Sequence, residues 1–217
     1  MAVRYGFQLY PDACDNSWTE TLKTVLSKFK YSCGSGFDWF IATIFLIHKG
    51  DEKRTIAFLE RFSECSLSSY TWSLLGKMRS EVIPPVYSVC CHFVETIVEE
   101  ELPMLFSAFK LSGCTVSQIC QQWLRECFWN VLNFSEIAHF VMSSLILGPD
   151  YPVYFCVSVL RHATPMIMQG LVDQSLVRVL SNGLQMGDGY RLGNHLEFMN
   201  QLELKYRARV LSDWHQE

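Results

Sequence analysis

The chain of 217 residues is sparing with charge: 18% of it is Asp, Glu, Lys or Arg, and the formal net charge is −4. It has no basic stripe and no RNA- or DNA-binding motif, which excludes an electrostatic nucleic-acid surface. None of its nine cysteines sits in a CxxC pair, so the ligand spacing of a structural zinc site is missing. Cys90-Cys91-His92 comes nearest, but adjacent residues on a helix do not converge on one ion. No metal site and no cofactor are expected. The longest apolar runs, Trp39 to Ile47 and Phe140 to Leu147, fall short of a bilayer span. Met1-Ala2-Val3-Arg4-Tyr5 has no apolar core of a secretory signal. GxSxG, P-loop, HExxH and GxGxxG motifs are all absent. Gly34-Ser35-Gly36 has no strand before it and makes no phosphate loop. No internal repeat or low-complexity segment occurs. These absences lead to the expectation of a soluble cytoplasmic domain with reduced, mostly buried thiols.

What is present is apolar. Hydrophobic residues make up 49% of the chain, with 15 Phe and 6 Trp, enough to bury a core without staples. Helical spacing dominates. Leu22, Val25, Leu26 and Phe29 fall on one helix face, as do Phe37, Phe40, Ile41, Ile44 and His48. Val86, Val89, Cys90, Phe93 and Ile97 make a third stripe, and Val116, Ile119, Cys120, Trp123, Leu124 and Cys127 a fourth. Val153 to Leu160 is apolar nearly all round and has no second strand to pair with, so it reads as a buried helix.

The punctuation agrees. Asn16 or Ser17, Thr115 or Ser117, and Ser135 are N-cap candidates. Gly50-Asp51 breaks the chain before a helix bearing Ile56, Leu59 and Phe62. Pro84-Pro85 opens the helix from Val86, and Gly148-Pro149 and Pro165 end helices. Gly183 closes a helix over Asp173 to Asn182. Gly187-Asp188-Gly189 reads as an exposed loop. A last helix over Gly193 to Trp214 carries Leu196, Met199, Leu202, Tyr206, Val210 and Trp214. Counting stripes gives about ten helices in one all-α domain over residues 1–217. The scattered histidines, including His92 one turn from Glu95 and His162 one turn from Pro165, lack the partners of a catalytic triad. They read as core or boundary residues. Glu99-Glu100-Glu101 reads as a solvated helix end.

Three segments in the second half carry a resemblance. They are Leu102-Pro103-Met104-Leu105-Phe106, the helix Cys120-Gln121-Gln122-Trp123-Leu124-Arg125-Glu126-Cys127-Phe128, and Ile137-Ala138-His139-Phe140. With the apolar helix Val153 to His162, they resemble in order and spacing the C-terminal half of TBC (Rab-GAP-like) domains. In the first half, Leu9-Tyr10-Pro11 resembles the segment after the family's arginine motif. Phe37-Asp38-Trp39-Phe40-Ile41-Ala42 resembles the helix after its glutamine motif. The resemblance implies a single compact TBC-like helical domain. Within the family the pattern is most similar to a ciliary member, which implies a role in cilium assembly. It also implies a location at the cilium or its base, and protein partners: a small Rab-type GTPase or a ciliary kinase complex.

Active members use two fingers in trans on a GTPase. An arginine neutralises charge on the transferred phosphoryl and a glutamine orients the attacking water. An arginine finger is worth about 10³ to 10⁵ in rate, or roughly 4–7 kcal/mol of barrier. Matching Tyr10-Pro11 to the family's F-P places Gln8 at the arginine and Tyr5 at the preceding aspartate. The next helix places Gly36 at the glutamine, with Ser35 beside it. No glutamine occurs between Leu9 and Phe109. The resemblance thus implies no catalytic residue and a GTPase-facing surface of Tyr5, Gln8, Ser35, Gly36 and Asp38. A non-catalytic interaction or scaffold domain is the leading expectation. An active or weakly active Rab GAP using atypical residues is the alternative, and a helical domain that has lost GTPase binding is the third.

Overall fold

The structure, a computed structural model, describes residues 2–12, 15–29, 37–64, 85–172 and 189–214. Among the described residues there are ten α-helices and no strand, so the all-α class stands. The chain folds as two compact units. The first comprises residues 1–82 with 125–127, and the second 83–124 with 128–217.

The first unit holds α1 (Ala2–Leu9), α2 (Ser17–Phe29), α3 (Phe37–Ile47) and α4 (Glu52–Glu64). Its core is made by Trp18, Leu22, Val25 and Phe29 of α2, Leu59 and Phe62 of α4, and the buried residues of α3, the three helices packing against one another. The Phe40 and Phe62 rings meet at 5.2 Å. The expected single stripe on α3 is instead burial all round: every residue from Phe40 to Leu46 is buried. With no charge after Asp38, nothing in this helix favours water. Asp51 opens α4, its Oδ1 accepting the Arg54 N–H at 2.9 Å. At α2 the expected caps Asn16 and Ser17 are displaced by Asp15, whose Oδ1 accepts the Ser17 N–H at 2.8 Å. Ser17 is already the first helical residue and donates its hydroxyl to the same oxygen. Those bonds favour the carboxylate and hold the Asp15 pKa below 3.8.

The second unit holds α5 (Pro85–Glu101), α6 (Pro103–Ser112), α7 (Val116–Arg125), α8 (Phe134–Leu147), α9 (Tyr151–Val172) and α10 (Leu196–Trp214), with a 3₁₀ turn at Leu192–Asn194. Helix α9 is the axis and packs against α5, α6, α8 and α10. The expected buried helix over Val153 to Leu160 is there, and the whole run from Tyr151 to Leu160 is buried. The Phe128 ring meets Phe140 at 4.8 Å and Phe155 at 5.0 Å, and Phe140 meets Phe155 at 4.8 Å. The aromatic residues of the resemblance are therefore this unit's core.

The helix ends correct several expectations. Thr115 does cap α7 reciprocally, accepting the Gln118 N–H at 3.2 Å while Gln118 Oε1 accepts the Thr115 N–H at 3.3 Å. Ser117 lies inside α7 and donates to Glu95. Asn133, not Ser135, caps α8, accepting the Glu136 N–H at 3.0 Å. Gly148 follows α8 as expected, but Pro165 lies inside α9. Pro165 and Arg161 both lie on the exposed side of the helix, where a missing i→i−4 hydrogen bond costs least, and the helix continues through the proline. Leu196 is 45% exposed, so the buried stripe of α10 runs through Met199, Leu202, Tyr206 and Val210. Asp173 to Asn182, Gly183 and Gly187-Asp188 lie outside the described residues, and Gly189 is exposed.

Candidate functional site

Helix α1 carries the candidate surface of the first unit. Gln8 stands exposed in its last turn, flanked by Phe7 at 41% and Leu9 at 37% exposure. Tyr5 lies three residues earlier on the same helix. Gly6 is buried, and α1 packs against α3. Asp38 is exposed in the first turn of α3. The fold therefore puts Tyr5 and Gln8 on one helix and Asp38 at the start of the helix packed against it. Ser35 and Gly36 lie outside the described residues.

The chemistry of this face follows from its side chains. A glutamine amide can donate to or accept from a partner, but it brings no net charge to a phosphoryl oxygen. Asp38 complements the positive end of the α3 dipole and adds a negative charge that repels phosphate. Gln8 offers an amide and Asp38 a carboxylate, each exposed, and Phe7 and Leu9 beside Gln8 are exposed apolar residues.

The second unit contains polar clusters that periodicity did not disclose. Glu136 is 3% exposed; its Oε2 accepts the Leu192 N–H at 2.9 Å, with Arg191 at 3.7 Å and His139 at 3.6 Å from its carboxylate. The sequence did carry one signal, since Asn133 and Glu136 have capping-box spacing. Tyr190 stacks on His195 at 4.8 Å, and the His162 ring stands edge-on to both, at 5.5 and 5.4 Å. The Tyr190 and Ser158 hydroxyls share a hydrogen bond of 2.7 Å. Glu99 and Glu100 are exposed at the end of α5, as expected, and Glu100 and Glu101 also accept the Tyr206 hydroxyl at 2.9 and 2.6 Å and pair with Arg209 and Lys205 of α10. His92, expected at the core or its boundary, is exposed while Cys90 and Cys91 are buried, so the three diverge. Among the described residues no three His, Cys, Asp or Glu side chains come together to hold a metal ion, and no helix is long and apolar enough to cross a membrane.

A family model described as the Broad-minded protein Rab TBC domain matches residues 13–216. Protein broad-minded of Danio rerio is 43% identical over 190 residues, covering 83% of this chain and 14% of that protein. Protein broad-minded of Mus musculus is 35% identical over an alignment of 237 residues, covering 98% of this chain and 18% of that protein. The chain thus spans less than a fifth of the length of either relative. No solved structure matches.

Proposed function

Because the chain belongs to the Broad-minded Rab TBC domain family, we propose that residues 1–217 act as one TBC-type domain that binds protein partners without accelerating GTP hydrolysis. The observation that carries this reading is Gln8: exposed, uncharged and in the position that the resemblance assigns to the arginine finger. The want of any glutamine between Leu9 and Phe109 supports it from the second finger. Without the arginine, charge developing on the transferred phosphoryl has no cation in trans. Without the glutamine, the attacking water has no amide to orient it.

The surface of Tyr5, Gln8, Ser35, Gly36 and Asp38 is then a recognition face. Its partner is a small Rab-type GTPase or a component of a ciliary kinase complex, and its setting is cilium assembly. The ciliary setting and both partners rest on the family resemblance.

Single-turnover hydrolysis on a panel of GTP-loaded Rabs tests the reading. The expected result is acceleration below about tenfold, far short of a true finger; a larger acceleration of any Rab overturns it. One observation favours the alternative of a working GAP with atypical residues. Lys49 Nζ stands 5.8 Å from the ring centre of Tyr10, two residues beyond Gln8. If acceleration is found and Lys49→Ala abolishes it, that alternative replaces the first reading.

A further inference from the structure

We propose that Gly50 and Trp18 are positioning residues for the Gln8 face: they form, with Tyr10, a lock that fixes the end of α1. As a recognition surface this inference rests on the reading of Gln8 given above; as a statement about what holds α1 it stands alone.

The lock begins at the end of α3. Gly50 N–H donates to the Phe45 carbonyl at 3.0 Å and Lys49 N–H to the Leu46 carbonyl at 3.0 Å. This is the paired ending of a Schellman motif, and it needs a left-handed residue. Lys49 takes that conformation at φ 54° and Gly50 follows at φ 79°. Gly50 is required for space as well as for backbone freedom. A Cβ there would fall 2.3 Å from Cε2 and 2.6 Å from Cζ2 of Trp18. The indole therefore lies directly on the bare α-carbon.

From Gly50 the contact passes to α1. Trp18 is 6% exposed and meets Phe45 edge-on at 5.5 Å. The Tyr10 ring also stands beside it, at 6.2 Å. Tyr10 in turn donates its N–H to the Gly6 carbonyl at 2.8 Å, which extends the α1 ladder by a residue. An eight-residue helix is too short to stand alone in water, so α1 depends on what it packs against. Any side chain at position 50 must push the indole off its seat, and the indole is the wall that Tyr10 rests on. Gln8 then loses a fixed orientation although nothing near it has changed.

The test is amide exchange over residues 2–10 read by mass spectrometry, on the wild-type chain, Gly50→Ala and Tyr10→Leu. Tyr10→Leu leaves the turn and the indole in place and guards against a Gly50→Ala chain that fails to fold. In both variants, protection of α1 should fall by about tenfold or more while that of α9 holds. Unchanged α1 protection in Tyr10→Leu overturns the lock.

A second arm reads function. Gln8→Arg is made alone and with Tyr10→Leu, and both are assayed on GTP-loaded Rabs. Stimulation by Gln8→Arg that disappears in the double variant supports positioning, and undiminished stimulation in the double variant overturns it. If Gln8→Arg stimulates no Rab while Tyr10→Leu deprotects α1, the lock stands and the finger assignment of Gln8 falls.

Discussion

The Glu136 carboxylate accepts the backbone N–H of Leu192 at 2.9 Å, across 56 positions of chain. This bond ties the start of α8 to the segment that leads into α10. Both residues are buried, so the N–H has no water to turn to if the carboxylate is removed. Glu136→Ala should destabilise by about 1–3 kcal/mol, the cost of an orphaned buried donor. Glu136→Gln keeps an acceptor oxygen and should lose less than half as much. Denaturant titration of the two variants checks this; equal losses would mean that the acceptor is not what matters.

The Tyr190–His195 stack gives the same segment a pH dependence. Burial lowers the His195 pKa below 6.5, and His162 and Arg161 beside it push the same way. A histidine depressed in the folded state binds its proton more tightly when unfolded. Stability is then complete above pH about 6.5 and falls as the pH drops through that value toward the folded pKa. His195→Phe keeps a ring against Tyr190 and removes the proton. Its melting temperature should depend less on pH between 7 and 5 than that of the wild-type chain. An identical slope would show that His195 is not the titrating group. His48 is depressed by burial in the same sense, so some slope remains in the variant.

Much of the fold could be read from spacing, because a half-buried helix writes its face into the sequence every three or four residues. Leu22, Val25 and Phe29 did so, and so did Val116, Cys120, Trp123 and Leu124. The runs from Phe40 to Leu46 in α3 and from Tyr151 to Leu160 in α9 are buried all round; α3 still showed helical spacing, while Val153 to Leu160 was marked as helical by its helical neighbours and the want of a pairing strand. Helix ends were less legible, because Asp15 and Ser17, or Asn133 and Ser135, are equally able caps until the backbone chooses between them. Pro165 misled because its cost depends on whether its face is wet, which is a tertiary fact. Contacts such as Trp18 on Gly50 or Glu136 on Leu192 join distant positions, and periodicity names a buried face without naming what covers it. For the candidate site, the exposure of Gln8 and Asp38 comes from the fold, while their assignment came from resemblance alone.

Six cysteines lie among the described residues: Cys90, Cys91, Cys120, Cys127 and Cys156 are buried, and Cys114 is half-buried. Burial raises the thiol pKa of Cys90, Cys91 and Cys156, and neighbouring thiols raise each further. The thiolate is the reactive form, so these groups are protected both sterically and chemically. Brief alkylation of the native protein at pH 8, with sites assigned by peptide mass, should label Cys114 ahead of all five buried residues. Labelling of Cys91 or Cys156 at the Cys114 rate would contradict their burial. After denaturation all six should react alike.

Asp150 offers the sharpest electrostatic test, because its partner can be removed without touching the core. It is 2% exposed. Its Oδ2 accepts the Tyr154 hydroxyl at 3.1 Å and lies 3.6 Å from Arg207 Nε. Burial raises the Asp150 pKa above 3.8 and Arg207 opposes that rise. Arg207→Met keeps the aliphatic stem and deletes the charge, so Asp150 must stay ionised unaided or take up a proton. Breaking a fully buried pair costs roughly 3–5 kcal/mol. Arg207 is 44% exposed, and solvent screening brings the expected loss at pH 7 down to about 1–2 kcal/mol. The pH dependence identifies the mechanism. Without Arg207 the folded pKa of Asp150 rises further, so the variant binds this proton more readily than the wild-type chain as the pH falls. The stability gap should therefore narrow from pH 7 toward pH 4. Asp150→Asn on the Arg207→Met background should remove the narrowing, since no carboxylate remains to titrate. A gap that stays constant with pH in Arg207→Met would assign the loss to packing of the arginine stem, or to its pair with Glu203 on the same helix.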